Sequence, residues 1–182
     1  AMNMDSHEVM DVFLQDKKLN ISPYYLKPGF AFGGSCLPKD TRGIAHLAKS
    51  LEVELPVINH INPSNESHLE HALELIRQTA LRRIGIVGVS FKAGTDDCRE
   101  SPALELMRRL ILEGYEVSFI DPSVAEAARL DPHPAMNTLM GEARCHQAQE
   151  LLQRAELLVV TQDDDYATKI VAKADSQVPV LD

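Results

Sequence analysis

A set of short apolar segments in the second half of the chain constrains its fold more than any other feature. Ile84-Gly85-Ile86-Val87-Gly88-Val89 runs without the polar alternation of a half-wetted strand. Such continuous runs are typical of strands buried on both faces, as in parallel sheets. Val117-Ser118-Phe119-Ile120 and Leu157-Leu158-Val159-Val160 read as further strands, and 178–181 as a last one. A helix fits between the first two. Ser101-Pro102 opens it, Ala103, Leu104, Met107, Leu110 and Ile111 line one face, and Gly114 ends it. Asp121-Pro122 closes the second strand. A short helix is expected over 123–130 and a loop over 131–142, where Pro132 and Pro134 interrupt any helical pattern. Arg144-Cys145-His146 reads as a short strand edge, 147–155 and 164–173 as helices.

Residues 1–80 differ in pattern. Asp5 followed by Glu8 reads as a capping pair for a helix with Val9, Met10, Val12 and Phe13 on its apolar face. Residues 17–35 are loop-like. A second helix is expected over 38–50 and a third over about 64–80, with Asn62-Pro63 beginning or kinking it. The fold class is therefore α/β: a helical segment, residues 1–80, followed by a Rossmann-like doubly wound parallel sheet over 81–182. Ala1-Met2 reads as a cloning scar and is left out of this reasoning.

Within the helical part, Gly33-Gly34-Ser35-Cys36-Leu37-Pro38-Lys39-Asp40 carries the strongest chemical signal. Glycines let backbone approach a ligand closely. Pro38 suits the first turn of a helix, where its missing N–H costs nothing. A thiol at that helix start, with Lys39 beside it, is in a setting that favours the nucleophilic anion. Asp40 lies one helical turn further on the same face. Cys98 and Cys145 have no comparable setting and read as inert small side chains. His60, His68 and His71 lack carboxylate or cysteine partners at ligand spacing, so no metal is expected.

The longer string Gly29-Phe30-Ala31-Phe32-Gly33-Gly34-Ser35-Cys36-Leu37-Pro38-Lys39-Asp40 resembles the catalytic-cysteine segment of the nucleotide-sugar 6-dehydrogenase family, which includes UDP-glucose and GDP-mannose dehydrogenases. Gly88-Val89-Ser90-Phe91-Lys92-Ala93-Gly94-Thr95-Asp96-Asp97-Cys98-Arg99-Glu100-Ser101-Pro102 resembles a second block of the same family, in the same order. The Tyr24-Tyr25-Leu26-Lys27-Pro28 stretch and the Phe-Ala-Phe variant are most similar to the GDP-mannose branch. The resemblance implies a four-electron oxidation with NAD as cofactor, in which Cys36 is the nucleophile and Asp40 orients or deprotonates water. It implies nucleotide-sugar contacts, GDP-mannose by this likeness, at Tyr24, Tyr25, Lys27, Phe30, Gly33 and Lys92, and NAD contacts at Lys39 and Arg99. Lys27 stands where close relatives also carry arginine, which keeps charge but loses a forked geometry. It implies a homodimer formed through the central helical region, and a bacterial role in making alginate precursors. No Gly-x-Gly-x-x-Gly turn occurs in the chain, so it reads as the second half of such an enzyme, expected to be inactive alone.

Composition bounds the alternatives. The 182 residues are 45% hydrophobic, enough for a core, and carry three cysteines. That count fits a reducing cytoplasm rather than a disulfide framework. A formal net charge of −9 argues against nonspecific nucleic-acid binding. No apolar run is long enough to cross a bilayer. The same charge opposes an anionic nucleotide sugar, so local cations must offset it. Lys27, Lys39, Lys92 and Arg99 are the candidates. A UDP-sugar dehydrogenase, a nonenzymatic nucleotide-binding module and a cysteine hydrolase remain open. The last would want a histidine base for Cys36, and none stands out.

Overall fold

A computed structural model describes residues 4–126, 128–174 and 178–181; the side chains of Tyr24 and Tyr25 lie outside the described set, as does Ala1-Met2. The chain divides into two compact units, Ala1–Phe30 and Ala31–Asp182. In the first, Asp5 caps α1 (Ser6–Phe13) by accepting the His7 N–H at 2.8 Å. Asn20 donates to the Phe13 carbonyl at 3.0 Å, closing the following turn, and Pro23–Leu26 forms one turn of 3-10 helix.

The second unit begins with two helices, α2 (Leu37–Ser50) and α3 (Pro56–Thr79), which pack on each other. Four parallel strands follow: β1 (Arg83–Val87), β2 (Glu116–Ile120), β3 (Leu157–Val160) and β4 (Val180–Leu181). Their order is β2-β1-β3-β4. The chain moves outward from β1 to β2, then returns past β1 to β3. That reversal places a topological switch point between β1 and β3, as expected of a doubly wound sheet.

Alternation along the strands separates two buried faces. Val87, Ile120 and Leu158 join Leu151 and Ala155 of the α6 region and Ala167 and Ile170 of α7 in one apolar cluster; α6 spans Ala148–Arg154 and α7 Asp165–Val171. Gly85 is needed on this face, because a Cβ there would lie 2.8 Å from that of Ala155. Ile84, Ile86, Phe119 and Leu157 are buried on the opposite register. There α4 (Pro102–Leu112) packs against β2 and α3, burying Leu106, Met107 and Leu110 alongside Leu73 and Ile76. Each such side chain contributes about 1.5–3 kcal/mol on burial.

Several elements depart from the sequence expectation. The loop expected over 131–142 is mostly helix, α5 (Pro134–Glu142). Pro134 occupies the first helical turn, where proline is tolerated, and Met136 and Met140 are buried one turn apart. The helix expected over 123–130 does not form in its described residues. Asp121 accepts the Ser123 N–H at 3.0 Å, and Arg144 donates to the carbonyls of Val124 and Ala125 at 2.9 and 3.1 Å. These bonds take groups a helix would have used. Helix α3 starts earlier than expected and contains Pro63 within it. The Arg144 edge is a single parallel bridge to Phe119.

Candidate active site

The cysteine loop is shaped by glycine. Gly34 has φ +86°, and a Cβ on it would meet the Phe91 ring at 2.8 Å. A Cβ on Gly33 would collide with the Glu100 carbonyl oxygen and with Cδ of Pro102. Backbone and ring thus close against both glycines, which is why neither position has room for a side chain. The Gly34 N–H donates to the Arg99 carbonyl at 3.1 Å. Asn65 of α3 holds the other side of the loop, accepting from Phe32 N–H at 2.8 Å and donating to Phe32 C=O at 2.9 Å.

Cys36 stands at the N-terminal cap of α2, exposed, with its Sγ 3.7 Å from Ser35 Oγ. Asp40 donates its N–H to the Cys36 carbonyl at 2.8 Å, so its backbone sits one turn above the thiol-bearing residue. Lys39 Nζ lies 3.4 Å from Asp40 Oδ1, both well exposed. The other two thiols differ. Burial, reinforced by Asp121 and Asp97, pushes Cys98 up to about 11. Burial also pushes Cys145 up.

The 88–101 loop leaves the C-terminal end of β1. Buried Asp121 accepts from Val89 N–H, Ser90 N–H and Ser90 Oγ at 2.9–3.0 Å. Ser101 caps α4 and donates to the Val89 carbonyl at 2.6 Å. Phe91 N–H bonds the Asp97 carbonyl at 3.0 Å, closing the loop on itself. Arg99 donates through its guanidinium to Asp97 at 2.9 and 2.6 Å, which holds that carboxyl down at about 2. Glu100, with φ +47°, accepts both terminal nitrogens of Arg42 at 2.6 and 2.8 Å. That bonding holds its carboxyl below the usual range.

A cavity of about 870 Å³ opens between α2, α3, the 98–102 segment and 129–132. Lys39 and Arg99 both line it, with Ser35, Arg42 and Glu100. Cys36 and Lys92 do not; Lys92 is exposed, and its carbonyl accepts from Ser90 and Thr95 hydroxyls. The switch point itself is nearly filled. Gln162 donates to the Ser90 carbonyl at 2.7 Å, packs over Gly88, and leaves a void of about 10 Å³ beside Asp121.

Gly33, Cys36, Lys39, Asp40 and Arg99 therefore come together in the second unit. Tyr24, Tyr25, Lys27 and Phe30 belong to the first, where Lys27 is exposed just after the 3-10 turn and Phe30 is half-buried. Sequence reasoning missed Asn65, Arg42, Glu100 and Gln162. Glu100 alone had a visible cue, since it stands inside the second motif block. Among the described residues no group of three or more histidine, cysteine or acidic side chains is arranged for a metal ion.

The parallel α/β fold of this chain has counterparts among known proteins. The chain belongs to the UDP-glucose/GDP-mannose dehydrogenase family: the family's UDP binding domain matches residues 85–181 and its central domain residues 1–67. It is 41% identical along its whole length to the GDP-mannose 6-dehydrogenases of Pseudomonas putida and Pseudomonas aeruginosa. It spans 42% and 43% of those relatives. Among solved structures it is similar to a ternary complex of Pseudomonas aeruginosa GDP-mannose dehydrogenase, with TM-score 0.78 and 39% identity over 98% of this chain and 42% of that one. A UDP-glucose dehydrogenase from Pyrobaculum islandicum gives TM-score 0.83 at 27% identity, over 100% of this chain and 40% of that one.

Proposed function

We propose that this chain carries the cysteine-bearing part of an NAD-dependent GDP-mannose 6-dehydrogenase, an enzyme that oxidises the sugar C6 alcohol to a carboxylate. The observation that carries this reading is Cys36, an exposed thiol at a helix start with Asp40 one turn on and the Arg99 loop bonded to its own loop. Family relatives at 41% identity support the substrate class.

The chemistry assigns the residues. An aldehyde carbon cannot give up hydride until a nucleophile has made it tetrahedral. The Cys36 thiolate adds to it, forming the S–C bond while the carbonyl oxygen takes a proton; loss of hydride from that thiohemiacetal, with return of the hydroxyl proton to solvent, leaves a thioester. Water, oriented or deprotonated by Asp40, attacks the thioester carbon, and the C–S bond breaks to release carboxylate and free thiol. When bound, NAD supplies the hydride acceptor for each two-electron step. Lys39 and Arg99 fit the anionic portion of that cofactor, since both are exposed cations on one cavity. Their present partners, Asp40 and Asp97, would share them with the ligand. Tyr24, Tyr25, Lys27, Phe30, Gly33 and Lys92 are assigned to the nucleotide sugar by family resemblance.

The remaining readings follow the same line. We place the boundary between a central helical domain and the sheet domain near residue 81, between α3 and β1 and inside the second compact unit. A homodimer through the helical region is supported by exposed Ile44 and Leu47 on α2, Leu51 at its C-cap and Val57 on α3. Supply of alginate precursor in a bacterial cytoplasm is assigned by family resemblance, and the bacterial sources of the relatives support the bacterial part. No described helix is long and apolar enough to cross a membrane. A UDP sugar is the second reading, favoured by the TM-score of 0.83 with a UDP-glucose dehydrogenase.

The test is protection of Cys36. Iodoacetamide labelling of Cys36 should slow with GDP-mannose, less with UDP-glucose, and not with mannose. Equal slowing by both nucleotide sugars would select the second reading, and slowing by neither would overturn the assignment.

A further inference from the structure

We infer that Arg42 and Glu100 are a positioning pair that holds the Cys36 loop against the Arg99 loop and so sets how strongly Arg99 acts on the thiol. Three observations meet at Glu100. Its φ of +47° lies in the left-handed region, which few residues with a side chain adopt. Its carboxylate takes both terminal nitrogens of Arg42 in a forked, two-bond geometry. Its backbone is wedged, because its carbonyl abuts Gly33 while the preceding carbonyl, that of Arg99, accepts the Gly34 N–H.

Arg42 lies on α2, the helix that Cys36 caps. The ion pair therefore joins the nucleophile's own helix to the residue next to Arg99. An ordinary surface pair, 55% and 44% exposed, contributes little to stability. What distinguishes this one is where it pulls. The left-handed turn at Glu100 fixes the direction in which Arg99 leaves the loop, and Ser101 at once begins the cap of α4. Releasing the carboxylate is expected to loosen that turn and weaken the electrostatic contact between Arg99 and Cys36. The pair lines the same cavity as Lys39 and Arg99, and its positioning action runs through Gly34, Arg99 and Cys36.

The effect on Cys36 rests on the nucleophile reading above, so two readouts are taken on the intact chain. One is hydrogen exchange at the Gly34 amide, followed by NMR. The other is the alkylation rate of Cys36, mapped by mass spectrometry. In Glu100→Gln, Gly34 exchange should quicken and Cys36 alkylation slow, each by about threefold to fivefold, the range open to one exposed ion pair. Arg42→Lys, which keeps charge but loses the fork, should do the same more weakly, and it replaces Glu100→Gln if that variant fails to fold. The charge-swapped double variant, Arg42→Glu with Glu100→Arg, should restore both rates to within about twofold. Rates unchanged in the single variants overturn the pairing role, whatever happens to the melting temperature, and so does a swap that restores neither. If Cys36 is not the fastest thiol in the parent protein, the nucleophile reading fails, and Gly34 exchange alone decides the clamp.

Discussion

The Gly34 N–H donates to the Arg99 carbonyl at 3.1 Å, tying the cysteine loop to the loop that leaves β1. The two motif blocks are distant in sequence and adjacent in space. Phe91, from the second block, covers Gly34, from the first. The junction is made of backbone and of a ring against a glycine, so it leaves no room for change at either glycine.

Gly33→Ala is expected to destabilise the protein by about 1–3 kcal/mol, the usual cost of forcing atoms into filled space. Its new methyl would meet a carbonyl oxygen and a proline ring, and neither can rotate away. Gly43→Ala is the control. Gly43 lies within α2 with open space around it, so alanine should stabilise by roughly 0.5–1 kcal/mol. Urea unfolding of both variants measures the contrast, and a neutral Gly33→Ala contradicts the tight junction.

Thiol reactivity should follow burial. Cys36 is exposed, while burial pushes Cys98 up to about 11 and raises Cys145 as well. At neutral pH the last two are almost wholly protonated, and the thiolate is the reactive form. Timed alkylation with peptide mapping should label Cys36 first. Prior labelling of Cys98 would remove the support for Cys36 as the nucleophile.

Asp97 gives the pH prediction. Hydrogen bonds from Arg99 hold it at about 2 against an ordinary 3.8. The folded value is the lower one, so its stabilising contribution is complete above the ordinary value and is lost as pH falls through about 2. A carbon-13 titration should place its midpoint near 2, and Arg99→Gln should return it toward the ordinary range. A midpoint near 3.8 in the parent protein would mean that the pair does not persist in solution.

Much of this architecture is legible in the sequence, for local reasons. Continuous apolar runs marked β1, β2 and β3, and Pro38 behind Cys36 marked the start of α2. Reading failed where a distant group decided the outcome. Pro134 reads as a breaker unless its place in the first turn of α5 is known. The 123–130 segment has helical composition, but Arg144 captures its carbonyls from far along the chain. Within the site the residue types were visible and their partners were not. Nothing near Glu100 in the sequence announces Arg42, and nothing near Phe32 announces Asn65.

Asp121, read from the sequence as closing the second strand, also holds the loop beyond β1. A carboxylate at the end of a second strand is where dinucleotide folds hold a ribose. Here one of its oxygens is occupied by Val89 N–H, Ser90 N–H and Ser90 Oγ, and the other accepts from Ser123 N–H. Its work is therefore to anchor the root of the loop that carries Arg99. Asp121→Ala would leave three backbone donors without this partner, those of buried Val89 and Ser90 and of half-buried Ser123, each costing about 1–3 kcal/mol, less whatever water recovers. A net loss of about 2–5 kcal/mol is expected in urea unfolding. Asp121→Asn should cost less, because its one remaining carbonyl oxygen can still accept from Val89 and Ser90 while only the Ser123 bond is lost. If Asp121→Asn is as damaging as Asp121→Ala, the negative charge rather than the acceptor geometry holds the loop, and the anchoring role as drawn here is wrong.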